Sequence, residues 1–455
     1  MDKKQLHMEF MSILGESHPG LTFEEYRDSC VFLLFYKYCC LRFGQELDDS
    51  YKLKEMVRMA VRGKLQIPSF LKFIESASAY IHRASGQFEL TEFSFYRKMA
   101  RNQSQEKQKS FARFIRKIIK KIDAWDCDLL LFDQYPVLFE EMLGEFAQLK
   151  KETYISEGVQ NLYRLFFAYS DADARRLVLP GFQYGILFKS MFKEEIDAEV
   201  FGYDENEEYI EIINILAYMK KLPFTSVHLY KKKDWTKQSG LGGTVDRICA
   251  FMPDGVEAGE YMMNLSDLPW DREFLTSKTK GEFPFILSAL PYLKKKGAMV
   301  IIFPSALLYR EGREVQIRKY FLEELDCLDT IMLLPDQIFN SSGQKEVLLY
   351  LQMNRRHEDV MFFDCSDLDK MDQEQIDRIK EALEERKDIP GFCTSASKER
   401  IKENDYNLNL PRYIAKSVTD IKLDIEARRR RIAEIDRELK EIDEKIAMYR
   451  RDLEL

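Results

Sequence analysis

From about residue 172 this chain of 455 residues changes texture, to short apolar runs separated by helix-like segments. The runs are Arg176 to Pro180, Glu199 to Asp204, Val245 to Met252, Ala298 to Pro304, Cys327 to Pro335, Val347 to Met353 and Val360 to Cys365. Strands that alternate with helical patterns at this spacing make βαβ units and a mostly parallel sheet. The last runs, joined by the short turn from Asp336 to Lys345, suit an antiparallel edge instead.

The flanks follow other rules. Residues 1–150 carry helical patterning throughout, with a capping box in Leu21-Thr22-Phe23-Glu24-Glu25, where Thr22 is the N-cap and Glu25 sits at N3. Leu33, Leu34, Tyr36 and Lys37 continue that helix as a buried segment. The sequence therefore divides into a helical domain, residues 1–150, an α/β domain, residues 151–415, and a third segment, residues 416–455. In the last, Val418, Ile421, Ile425, Ile432, Ile435, Leu439, Ile442, Ile446, Tyr449 and Leu453 form a heptad seam broken by Arg428. Such a seam pairs with a helix of comparable length, on its own chain or on a partner.

The net charge of −8 argues against a protein that is electropositive all over, and leaves room for a local basic surface. Eight cysteines with no CxxC pair, and only five histidines, predict reduced thiols and a cytoplasmic protein without a metal site. No basic-then-apolar leader opens the sequence, and no uncharged apolar run approaches the ~20 residues that span a bilayer.

The stretch from Gly281 to Met353 contains a helix from Phe283 to Leu293, then KKGAMVIIFPSALLYREGREVQIRKYFLEE, LDCLDTIMLLPDQIF and KEVLLYLQM. It resembles the modification subunit of type I restriction-modification systems, in the order and spacing of a strand ending in Pro, an "iRk" helix and an "LP-x-x-x-F" strand end. Asn404 to Asn409, followed by Pro411-Arg412-Tyr413, is similar to the closing signature of that family, and LTFEEYRDSCVFLLFYKY to its N-terminal helices. The resemblance implies a Rossmann-like methyltransferase fold, binding of S-adenosylmethionine and methylation of adenine N6 in DNA. It also implies partners: a DNA specificity subunit or another methyltransferase-type subunit, docked through the N-terminal domain and the C-terminal helix.

The residues meant to carry that chemistry are largely replaced. The family resembles D-P-x-x-G-x-G-G at the cofactor turn, where glycine lets backbone amides approach the ligand. Here the stretch is Leu179-Pro180-Gly181-Phe182-Gln183-Tyr184-Gly185-Ile186, which keeps Pro180 and Gly185 and, beside them, has Gly181. Asp204 matches the acid that accepts hydrogen bonds from the ribose, and is equally suited to cap a helix over Glu207 to Met219. The strand from Val245 aligns Asp246, but where the family has N-P-P-F or N-P-P-Y this chain reads Phe251-Met252-Pro253-Asp254. A phenyl ring accepts no amino hydrogens and a carboxylate offers no stacking face to a flipped base. The expectation is a vestigial cofactor turn and no methylation by this chain.

Two further features read as structural: Ser239-Gly240-Leu241-Gly242-Gly243 precedes a strand and is a turn, and Cys39 and Cys40 fill core. Between Arg97 and Lys121 ten Lys or Arg face a single acid, Glu106. Arg113, Arg116, Lys117, Lys120 and Lys121 fall on one side of a helix whose other side is Phe111, Phe114, Ile115, Ile118, Ile119 and Ile122. That side tracks DNA phosphates, or faces solvent or this acidic chain itself. The sequence thus reads as a catalytically degenerate methylation-subunit homologue acting in complex assembly and DNA binding. The alternatives are an active adenine-N6 methyltransferase and an interaction scaffold without DNA contact.

Overall fold

The computed structural model describes residues 8, 11–13, 20–101, 104–124, 134–149, 157–169, 175–180, 198–204, 206–221, 227–231, 240–251, 282–335, 345–368 and 370–415. One compact unit spans Met1–Ile414. The predicted heptad helix, residues 416–455, lies outside the described residues.

The N-terminal part is helical, as predicted. Helix α1 (Phe23–Arg42) opens on the capping box: Glu25 N–H donates to Thr22 Oγ1 at 3.3 Å and Thr22 N–H to Glu25 Oε2 at 2.7 Å. It is buried without a break from Tyr26 to Cys39, which makes it the axis of this region, since a helix apolar on all sides is covered on all sides. Around and beyond it run α2 (Leu53–Val61), α3 (Ile67–Ser85), α4 (Ser94–Ala100), α5 (Gln105–Asp123) and α6 (Tyr135–Leu149). Helix α7 (Glu157–Tyr169) then leads to the sheet.

Among the described residues, nine strands form one sheet in the order β3-β2-β1-β4-β5-β7-β6-β8-β9. They are β1 (Arg176–Pro180), β2 (Glu199–Asp204), β3 (Val227–Lys231), β4 (Val245–Phe251), β5 (Leu293–Pro304), β6 (Leu328–Leu333), β7 (Glu346–Gln352), β8 (Val360–Asp364) and β9 (Cys393–Ala396). From β3 to β5 every pairing is parallel. Strand β7 runs antiparallel between β5 and β6, and the edge strand β9 runs antiparallel to β8. The antiparallel pairing read at the end of the chain is therefore present, with β7 slotted inside the sheet and β8 and β9 extending it.

Alternate residues of the central strands feed two cores, because side chains of a strand point to opposite faces in turn. Leu177, Leu179, Val200, Val300 and Ile302 join α7, α8 (Glu207–Met219), α11 (Gln373–Glu385) and the N-terminal helices in one apolar cluster. Val178, Ile248, Met299, Ile301 and Phe303 meet α9 (Glu282–Ala289), α10 (Arg313–Glu323) and α12 (Lys398–Glu403) on the other face. The result is a three-layer α/β sandwich whose first layer is continuous with the N-terminal helices.

Two strands and one boundary were not anticipated. β3 and β9 are the short edge strands, each with one neighbour, so polar residues such as His228 and Thr394 are tolerated and the apolar signal is weak. The helix predicted over Phe283 to Leu293 stops at Ala289, a 3-10 turn holding Pro291 follows, and the strand starts at Leu293, five residues before its apolar run. Gly297 is required there: a Cβ would lie 2.9 Å from the Val245 carbonyl oxygen, where the β4–β5 register slips.

Candidate functional site

In a sheet ordered 3-2-1-4-5, the order in which strands are added reverses between β1 and β4, and ligands bind outside the carboxyl ends of the strands at that switch. The structure brings Pro180, Asp204 and Phe251 to this edge as the last residues of β1, β2 and β4. Pro180 pairs with Tyr203, the neighbour of Asp204, while Val178 pairs with Ile248, leaving Pro180 and Phe251 two and three residues beyond that pair. Gly181, Gly185, Met252, Pro253 and Asp254 lie outside the described residues.

Asp204 is buried, and its Oδ1 accepts the Asn206 N–H at 3.0 Å. Asn206 in turn is the N-cap of α8, its side chain accepting Glu208 N–H at 2.9 Å. The capping role open to Asp204 in the sequence thus belongs to Asn206, and Asp204 shapes the turn before it. This half of the site fits a ribose-binding acid at the end of β2. Strand β4 is tethered just before its end, where the buried Tyr163 hydroxyl of α7 donates to the Ala250 carbonyl at 2.5 Å. Asp246, the acid that matched the family pattern, sits at the opposite end of β4. It is buried and accepts Arg175 N–H at 3.0 Å, Arg176 N–H at 2.9 Å and Lys294 Nζ at 2.9 Å, so it pins the start of β1 to β4 and β5.

The N-terminal helices grip the start of α8 through charge. Arg27 and Asp28 of α1, Lys98 of α4 and Glu208 of α8 form a closed set in which Arg27 bonds Asp28 at 2.6 Å and Lys98 bonds Asp28 at 2.8 Å, and both cations pair with Glu208. Burial opposes ionisation here, yet Lys98 and Arg27 hold the Glu208 carboxyl below its usual range, and Asp28 and Glu208 hold the Lys98 ammonium above its own. Beside them Glu211 accepts Ser94 N–H at 2.8 Å and Ser94 Oγ at 2.7 Å, and burial lifts its carboxyl to about 6.

A second clamp involves the residues that carried the family likeness. Arg318 on α10, 2% exposed, donates through Nε to Tyr406 O at 2.8 Å, through Nη1 to Leu307 O at 2.9 Å and through Nη2 to Arg310 O at 2.8 Å. Leu408 N–H adds a bond to Leu308 O at 2.9 Å. The "iRk" helix, the loop after β5 and the closing Asn404 to Asn409 motif are thereby welded together. Sequence reasoning singled out these segments by likeness and missed that Arg318 unites them.

The basic helix is α5, and its apolar side is buried as predicted. Arg113, Lys117 and Lys120 are exposed, whereas Arg116 and Lys121 are half-buried: Arg116 Nε bonds Ala112 O at 3.0 Å and Lys121 Nζ bonds Ser12 O at 2.9 Å. Part of the surrounding positive charge faces the chain itself, Arg97 toward Glu207 at 3.4 Å and Glu211 at 3.6 Å, and Lys107 toward Glu25 at 2.5 Å.

The turn at Gly240 to Gly243 stands before β4, away from the switch edge, with Gly243 at φ 64 and its N–H on Pro291 O. Cys39 is fully buried in the core, and Cys40 is half-buried against it, its thiol pushed up to about 12 by burial. Among the described residues there is no cluster of His, Cys, Asp and Glu able to hold a metal, and no helix long and apolar enough to cross a membrane.

The family model for N-6 DNA methylase matches residues 186–421, just over half of the chain. A type I restriction enzyme methylase subunit of Mycoplasma pneumoniae is 28% identical over 208 residues, 44% of this chain and 38% of that protein. One from Methanocaldococcus jannaschii is 28% identical over 199 residues, 40% of this chain and 34% of that protein. The matched stretch is thus little more than a third of the length of these relatives. The crystal structure of a type I restriction-modification methyltransferase subunit from Streptococcus thermophilus shares the fold with a TM-score of 0.72 and 21% identity, covering 91% of this chain and all of that one. A modification subunit of a putative type I restriction enzyme from Vibrio vulnificus gives 0.62 and 13%, covering 92% and 98%. On the family match, with the sheet order in agreement, the chain belongs to the N-6 DNA methylase family.

Proposed function

We propose that this chain is a non-methylating member of its family, a methylation-subunit homologue that acts in the assembly of a DNA-bound complex. The observation that carries the reading is the end of β4. That strand delivers Phe251 to the switch edge, followed in sequence by Met252-Pro253-Asp254. Adenine methylation needs an amide and a carbonyl to accept the amino hydrogens and an aromatic face for the flipped base. Phe251 and Asp254 supply the wrong chemistry at both ends of the motif.

S-adenosylmethionine would supply the methyl group, and Asp204 would hold its ribose. The turn expected to cradle the remainder, around Pro180, Gly181 and Gly185, carries Gln183 and Ile186 where the pattern has glycine, beside bulky Phe182 and Tyr184, which argues for a filled pocket. Assembly is supported by a related chain, from a structure of a type I restriction-modification system concerned with complex assembly, at a TM-score of 0.60 with 97% of this chain covered. A DNA specificity subunit or a second methyltransferase-type subunit is the proposed partner, and the exposed row Arg113, Lys117 and Lys120 the proposed DNA contact. Calorimetric titration with S-adenosylmethionine tests the pocket: a clear saturable site contradicts the filled turn. Methyl transfer to DNA by the chain would overturn the reading as a whole.

A further inference from the structure

Helix α2 packs on α5, and its outward side is basic too, a feature the sequence hides because some fifty residues separate the two helices. The buried residues of α2 are Leu53, Met56 and Ala60, while Lys54, Arg58, Arg62 and Lys64 are exposed. Lys54, Arg58 and Arg62 recur every four residues, which keeps them on one face with a rise of about 6 Å per step. Lys109, Arg113 and Lys117 repeat that spacing on α5, with Lys120 one turn further, all exposed. Leu53 and Lys52 at the start of α2 and Asp123 at the end of α5 all lie near Cys40, so the start of one packed helix meets the end of the other.

Within Leu53 to Lys64 and Gln105 to Asp123 there are eleven Lys and Arg against three acids, Glu55, Glu106 and Asp123. The net charge there is +8 in a chain whose total is −8. Of the acids, Glu55 pairs with Arg58 at 3.0 Å at the surface, a contact too exposed to neutralise the row.

We infer that the exposed sides of α2 and α5 form one two-row surface that binds the phosphodiester backbone of nucleic acid. Two rows of exposed cations on packed helices suit an extended line of phosphates, which a protein contacts without reading sequence. The inference rests on the DNA-contacting reading proposed above and adds α2 to it.

The test measures binding of the full chain to a mixed-sequence duplex by fluorescence anisotropy across a salt series. Each phosphate contact contributes about 0.9 to the slope of log K against log salt. The triple variant K54A/R58A/R62A is expected to lower that slope by about 2–3, and R113A/K117A/K120A by a similar amount. All six side chains are exposed, and thermal melting confirms that each variant folds. If the α5 variant lowers the slope and the α2 variant leaves it unchanged, the two-row surface is wrong while DNA contact stands. If the unaltered chain binds no duplex, the DNA reading itself fails. Competition by polyglutamate as effective as by DNA of equal charge would assign the surface to an acidic protein instead and overturn the inference.

Discussion

Replacing Arg318 by Met removes one side chain and three hydrogen bonds, to Tyr406 O, Leu307 O and Arg310 O, all at 2.8–2.9 Å. Bonds from a charged donor contribute about 1.5–3 kcal/mol each, so the gross loss is roughly 5–9 kcal/mol. Against this stands the cost of keeping a guanidinium out of water: burial lowers its pKa from 12.5 to about 10, which corresponds to about 3 kcal/mol recovered by the neutral side chain. The expected net destabilisation is about 2–6 kcal/mol, measured by urea unfolding with an unchanged m-value. Amide hydrogen exchange localises the effect. Leu408 N–H, bonded to Leu308 O across the same junction, should lose more protection than the amides of β4 and β5. R318K is expected to be nearly as damaging, since a lysine cannot reach three carbonyls with a planar fork. A loss below about 1 kcal/mol, with Leu408 protection intact, would refute the clamp.

Other perturbations test other parts of the structure. Glu211 titrates at about 6 in the fold against 4.5 unfolded. The folded state therefore holds the proton longer, and stability relative to E211Q should fall by about 2 kcal/mol as pH rises through that window and stay level above it. A flat or rising difference in denaturation free energy would show that burial does not govern this carboxyl. Gly158 on α7 lies where a Cβ would meet Met371 Cβ at 2.5 Å and its carbonyl oxygen at 2.6 Å. G158A should thus cost about 2–3 kcal/mol in the same assay. Lys221, just past α8, holds φ 58, a left-handed position where glycine is the usual residue. K221G is expected to stabilise by about 0.5 kcal/mol, and a lower melting temperature would count against it.

The sheet was legible because strands covered on both faces are near-continuous apolar runs, as in Val360-Met361-Phe362-Phe363 of β8. The edge strands β3 and β9 escaped because an exposed edge imposes no such pattern. The capping box at Thr22 was legible because its two bonds span three residues, and the capping role left open for Asp204 falls two positions later, on Asn206, because both are good cap residues. The clamp at Arg318 was not legible: its acceptors stand at residues 307, 310 and 406, and nothing local in the sequence marks a carbonyl as short of a donor. The same holds for Asp246, aligned with the family's strand pattern and found to pin three strands at the other end of β4. Of the candidate site, Pro180, Asp204 and Phe251 stand at the ends of β1, β2 and β4, since parallel strands of one sheet end on one edge.

The most direct measurement of the central claim is transfer of labelled methyl groups from S-adenosylmethionine to adenine-containing duplex DNA by the full chain, with an active adenine-N6 methyltransferase as positive control. The account predicts no incorporation above background, and none after F251N/M252P/D254F restores the strand-end motif alone, because Gln183 and Tyr184 remain in the cofactor turn. Saturable incorporation by the unaltered chain would contradict it.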